Sequence, residues 1–187
     1  MAGFVFFGKS PRNLGLDRAK ALGSLAAGRV VKVALLVDAN DEAISAMIEA
    51  LQPDILQLHG KENPHRIADI RTRFGLPVMK AYGVSSREDL SIALRDSAGA
   101  DMLLFDAKPP KGAALPGGNG VVFDWSILAG LKLDKPWMLS GGLDPGNVAA
   151  AIAATGAPGV DVSSGVESAL GVKDVQKITD FVRQARL

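Results

Sequence analysis

Apolar residues come in short unbroken runs, separated by stretches in which they recur at every third or fourth position. The runs at 4–7, 32–37, 55–58, 78–82, 102–105, 137–139 and 160–162 read as strands. The stretches 16–27, 41–51, 64–74, 86–94, 147–154 and 173–185 read as helices, with a shorter one at 125–131. In 41–51 the residues Ile44, Met47, Ile48 and Leu51 share one face, as do Ile67, Ile70 and Phe74 in 64–74. Pro64 suits a first helical turn and Ser86 suits a cap. Strands that are apolar throughout, rather than at alternate positions, belong to a parallel sheet covered on both faces. Strand and helix alternate to the end, and Asp38, His59, Asp106, Ser140 and Ser163 all fall at strand ends. That favours the ring of a TIM-type (βα)8 barrel over a doubly wound open sheet, here with seven recognisable strands instead of eight. No linker or low-complexity tract divides residues 1–187, so a single domain is predicted.

Composition narrows the class further. A chain of 187 residues, 48% apolar and 22% charged, has the makings of a sizeable core. The net charge of +1 and the scattered basic residues predict neither a nucleic-acid nor a membrane partner. No run has the length of a membrane span, and the start lacks a basic segment followed by a long apolar one; a cytoplasmic location is expected. The absence of cysteine excludes disulfides, thiolate metal sites and a cysteine nucleophile within these residues. His59 and His65 do not have metal-ligand spacing, so no metal site is predicted.

The stretch 135–167 repeats one motif. The strand 137–139 runs into Ser140-Gly141-Gly142-Leu143, with Asp144 and Pro145 as the cap and first turn of a helix. The strand 160–162 then breaks into Ser163-Ser164-Gly165-Val166-Glu167. Both strand tips end in residues too small to block a ligand from the backbone N–H groups, and both lead toward a helix start, where an anion is favoured. Two such tips in succession suggest one phosphate clamp, although either alone reads equally well as a tight turn. Asp106 ends an apolar strand and is the leading acid or base, expected at the rim in a partly dry setting that raises its pKa; the alternative is a turn cap. The long loop after it, with Gly117-Gly118-Asn119-Gly120, could cover a ligand. Asp161 sits within its strand, pointing inward or serving as a buried structural group. Arg12, in Ser10-Pro11-Arg12, has the fork that suits a carboxylate or phosphate, and by itself reads as a solvated arginine. Lys80 fits the mouth or the outer rim equally.

In combination these residues resemble the phosphoribosylanthranilate isomerases of tryptophan biosynthesis. The resemblance runs through Gly3-Phe4-Val5-Phe6-Phe7 with Ser10-Pro11-Arg12, Gln57-Leu58-His59-Gly60, Phe105-Asp106, Leu139-Ser140-Gly141-Gly142-Leu143, and 159–167. It implies a cofactor-free Amadori rearrangement of N-(5-phosphoribosyl)anthranilate to 1-(2-carboxyphenylamino)-1-deoxyribulose 5-phosphate. It further implies Asp106 as general acid and Arg12 at the anthranilate carboxylate. Gly141, Gly142, Ser163, Ser164 and Gly165 would hold the phosphate, with His59 and Asp161 as further substrate-binding residues. The implied partner is a small phosphosugar-anthranilate substrate, and the implied assembly a monomer or homodimer.

One departure stands out. The family's general base is a cysteine in a Lys-Ile-Cys-Gly type motif on the first strand, and this chain has neither the cysteine nor that strand. The resemblance therefore implies a barrel truncated by its first strand-helix unit. Such a chain is expected to be less stable and to bind phosphate while isomerising poorly, and a version extended upstream by one unit is expected to be active. A non-catalytic phosphosugar-binding module and a lyase of the indole-glycerol-phosphate synthase type are the alternatives.

Overall fold

The computed structural model describes residues 1–108 and 124–186. The Gly117–Gly120 loop lies outside them. Residues cluster into two compact units, one made of Met1–Ala81 and Asp96–Met102, the other of Tyr82–Arg95 and Leu103–Leu187.

In the first unit, β1 (Ala2–Phe6), β2 (Lys32–Leu36), β3 (Ile55–Leu58) and the first half of β4 (Val78–Val84) lie side by side in chain order, all parallel. The register runs Phe4 to Ala34, Ala34 to Leu56 and Leu56 to Val78. Every residue of β3 is buried, which is why its sequence shows no alternation. α1 (Leu16–Ala26), α2 (Asp41–Leu51) and α3 (Pro64–Phe74) connect the strands. Ile44, Met47 and Leu51 of α2, with Ile67 and Ile70 of α3, are buried. Asn40 and Asn63 cap α2 and α3, their side chains accepting from Ala43 N at 3.0 Å and Arg66 N at 2.9 Å.

The second unit holds α4 (Arg87–Arg95), β5 (Met102–Ala107) from Leu103 onward, and β6 (Trp137–Leu139), which pairs in parallel with β5. The Phe105 and Trp137 rings meet edge to face at 5.7 Å. α5 (Val148–Thr155) and α6 (Val175–Gln184) follow, and Asp174 caps α6 by accepting from Lys177 N at 3.0 Å. Ser86 accepts from Asp89 N at 3.1 Å, the cap its position predicts.

Three expectations change, and one element is added. The run 160–162 is not a strand: it makes one parallel bridge, Val160 to Leu139, so the described residues contain six parallel strands and a bridge instead of seven strands. Asp161 N donates to the Leu139 carbonyl at 2.8 Å, and the backbone then leaves the extended region at Ser163, too soon for a ladder to form. The helix expected at 125–131 is a single 3-10 turn, Trp125–Leu128. After Val166 comes an antiparallel hairpin that periodicity did not reveal, β7 (Glu167–Ala169) with β8 (Val172–Lys173). Asp106 does not end its strand; β5 continues through Ala107. Among the described residues no helix is long and apolar enough to cross a membrane.

Candidate active site

Of the candidates, Arg12 and His59 belong to the first unit. The chain after β1 folds back on it, with Leu14 N donating to Val5 O at 2.9 Å and Arg12 N donating to Ser10 Oγ at 3.1 Å, which leaves Arg12 half-buried. His59 follows β3, and its N–H donates to Leu36 O at 2.8 Å, extending the pairing with β2 by one residue. Gly60 is then pressed against the Asp38 backbone: a Cβ there would lie 2.7 Å from Asp38 N. Asp38 itself sits at φ +49°, a left-handed conformation that Asp tolerates.

These two strand-end turns share a buried ion pair. Lys80 Nζ and Glu62 Oε2 lie 3.0 Å apart, each side chain only 3% exposed. Lys80 also donates to the carbonyls of Gly60 at 2.8 Å, Ala81 at 3.1 Å and Leu58 at 3.2 Å. Glu62 accepts from Asp38 N at 2.8 Å and Gly60 N at 3.0 Å. Lys80 is thus withdrawn from solvent, and it ties the turn bearing His59 to the turn bearing Asp38. An open cleft of about 410 Å³ nearby is lined by Asp38–Glu42 and Arg66 and contains none of the candidate residues.

The second unit holds Asp106 and both halves of the expected clamp. Asp106 is 4% exposed, drier than a rim position would be, and its Oδ1 accepts from Ala107 N at 2.8 Å. Gly141 and Gly142 have φ of +92° and +64°, values that other residues rarely adopt. A Cβ on Gly141 would lie 2.5 Å from Ala107 N and 3.0 Å from Asp106 Oδ1. Glycine therefore lets the first loop lie directly against the candidate acid.

The two loops also touch each other. A Cβ on Gly165 would run into the Leu143 carbonyl, with its carbon at 2.9 Å and Asp144 Cβ at 3.0 Å. Ser140 Oγ donates to Asp161 Oδ2 at 3.2 Å, a second link between the two strand ends. Asp144 caps the turn before α5, accepting from Gly146 N at 2.7 Å and Asn147 N at 3.0 Å, and regular helix begins three residues later than Pro145. Asn147 donates to Gly142 O at 2.9 Å, holding the first loop.

Sequence reading passed over Asn147, Glu62 and the pair Lys173–Glu167, whose Nζ and Oε1 are 3.0 Å apart. Only Asn147 had a local signal, three residues after an Asp in a turn. Glu62 acts mainly through Lys80 and Asp38, both distant in the chain, and Lys173 meets Glu167 across a hairpin that the sequence pattern did not show.

Parallel strands joined by helices, with glycine-bearing loops at strand ends, are the marks of a phosphate-handling α/β barrel. The model of the family "N-(5'phosphoribosyl)anthranilate (PRA) isomerase" matches residues 1–184, and the chain belongs to that family. A protein of Nitrobacter winogradskyi named N-(5'-phosphoribosyl)anthranilate isomerase is 60% identical over 186 residues, 100% of this chain and 83% of its own length. The crystal structure of phosphoribosyl anthranilate isomerase from Thermotoga maritima superposes with a TM-score of 0.86 at 34% identity, over 98% of this chain and 86% of that one. Another structure of such an isomerase, in complex with reduced 1-(o-carboxyphenylamino)-1-deoxyribulose 5-phosphate, gives 0.81 at 32% identity, over 98% and 86%. The fold class is thus the TIM type, and the lyase alternative is set aside in favour of the isomerase family.

Proposed function

We propose that the chain is a phosphoribosylanthranilate isomerase of tryptophan biosynthesis, and that residues 1–187 work as one cytoplasmic domain, monomeric or homodimeric, without a cofactor. The observation that carries the site assignment is the stacking of Asp106, Gly141 and Gly165. A buried carboxyl lies against one small-residue loop, and the second loop packs backbone to backbone on the first.

In this reading, Gly141, Gly142, Ser163, Ser164 and Gly165 hold the sugar phosphate through N–H and hydroxyl donors. The Arg12 guanidinium faces the anthranilate carboxylate in a charge-assisted pair, and His59 and Asp161 are further substrate contacts. Asp106 delivers its proton to the furanose ring oxygen as the C1–O bond breaks, and the anthranilate nitrogen supplies the electron pair that forms the C1–N imine. Removal of the C2 proton gives the enolamine. Proton return to C1 and loss of the hydroxyl proton at C2 leave the ketone, so the overall change is an isomerisation.

The reading to be tested against it is a phosphosugar-binding module without turnover. The decay of anthranilate-adduct fluorescence on mixing chain and substrate separates the two. Decay at an enzymatic rate, reduced about a hundredfold or more by Asp106→Asn, supports the isomerase with Asp106 as acid. An Asp106→Asn rate equal to the parent's would overturn Asp106 as proton donor, and tight binding with no decay would establish the module.

A further inference from the structure

Behind the second loop lies a charged contact that none of the roles above uses. Lys173, on β8, reaches back ten residues to donate to the Ser163 carbonyl at 2.7 Å, with Ser163 Oγ at 3.4 Å. The same Nζ lies 3.0 Å from Glu167 Oε1. Glu167 is held in turn: its side chain is 5% exposed, its Oε2 accepts from Gly171 N at 3.1 Å, and its carbonyl accepts from Lys177 Nζ at 2.7 Å. A carboxylate that dry needs a cation beside it. The Lys173 side chain, by contrast, is 43% exposed, so its ammonium is held in place by its partners more than by burial.

From this geometry we propose that Lys173 is a positioning residue for phosphate binding, which aims the Ser163–Ser164 peptide. A trans peptide is planar, and its C=O and the following N–H point in opposite directions. Fixing the Ser163 carbonyl toward Lys173 therefore fixes the Ser164 N–H toward the opposite side of the loop. The same loop abuts Leu143 through Gly165, so its depth and its tilt are set by two separate contacts. Lys173 orients the donor without touching the phosphate, and Glu167 orients Lys173. The proposal rests on the reading of 163–165 as a phosphate loop.

Lys173→Met and Lys173→Arg test it in the full chain. Without ligand, the Ser164 amide resonance should move in Lys173→Met and return toward the parent position in Lys173→Arg; the melting temperature should fall in Lys173→Met, where Glu167 loses its counter-charge, and stay near the parent's in Lys173→Arg, so binding is compared well below both midpoints. With ligand, Lys173→Met should weaken inorganic phosphate binding, followed at the Ser164 and Gly165 amides, by roughly tenfold, the worth of one hydrogen bond to a charged group. Where the parent turns substrate over, KM should rise by that factor with kcat nearly unchanged. An unmoved Ser164 amide in Lys173→Met, or equal phosphate affinity of parent and variant, overturns the role of Lys173. A parent chain that binds no phosphate overturns the phosphate-loop reading instead, whatever the amide does.

Discussion

Lys80→Met removes the cation from the driest ion pair described in the first unit. Both side chains are 3% exposed, so solvent screening gives almost no discount. Glu62 would keep Asp38 N and Gly60 N as donors but lose its counter-charge, and three carbonyls would lose the ammonium that they share. Breaking one side of a buried pair costs about 3–5 kcal/mol. For a chain of this size each kcal/mol lowers the melting midpoint by about 2–4 °C, so a fall of roughly 6–20 °C is expected. Calorimetry or circular dichroism on parent and variant measures it. Adding Glu62→Gln should recover part of the loss, because the unpaired charge goes while some hydrogen-bonding capacity remains. An exposed rim lysine would cost under about 1 kcal/mol, so a melting point within about 3 °C of the parent's would refute the account of Lys80 as a buried tie.

Two further perturbations probe the second unit. Gly165→Ala should force the Leu143 and Gly165 backbones apart at a cost of about 1–3 kcal/mol, read as a lower melting point and a roughly tenfold or greater loss of affinity for phosphate in calorimetric titration. Unchanged affinity would mean that the spacing of the loops does not matter for binding. Asp89 is partly desolvated, which pushes its pKa up, yet hydrogen bonds from Lys108 and Ser85 outweigh this and bring it from the ordinary 3.8 to about 2. A carboxyl depressed on folding stabilises above its unfolded pKa, and that contribution disappears as pH falls through the folded value. Asp89→Asn should therefore be less stable than the parent at neutral pH, with the gap in urea midpoints closing between about pH 4 and pH 2. A gap that stays constant through that interval would exclude the Lys108 and Ser85 contacts as its source.

The order and kind of the main elements were legible in the sequence because they depend on local periodicity and on caps. α2 and α3 begin and end where their apolar spacing and Pro64 place them. The small residues at 140–142 and 163–165 were legible as loops for the same local reason. What lay beyond reach was pairing. A run such as 160–162 becomes a strand only if a ladder continues along it, and here it stops after one bridge. The β7–β8 hairpin is too short and too exposed to leave a pattern. Asp106 looked like a strand terminus because the apolar run stops at Phe105, whereas Ala107 still belongs to β5.

By itself, then, the sequence determined an alternating α/β chain of the TIM type, the identity of its small-residue loops and its likeness to one isomerase family, all properties carried by residue order. Only the tertiary structure decided that Gly141 rests against Asp106, that Gly165 rests against Leu143, and that Lys80 and Lys173 spend their charges on backbone carbonyls and on Glu62 and Glu167. Most of these contacts join residues far apart in the chain, and the Lys173 contacts depend on a hairpin that has no sequence pattern. Their energies depend on distance and burial, which exist only after the strands have paired.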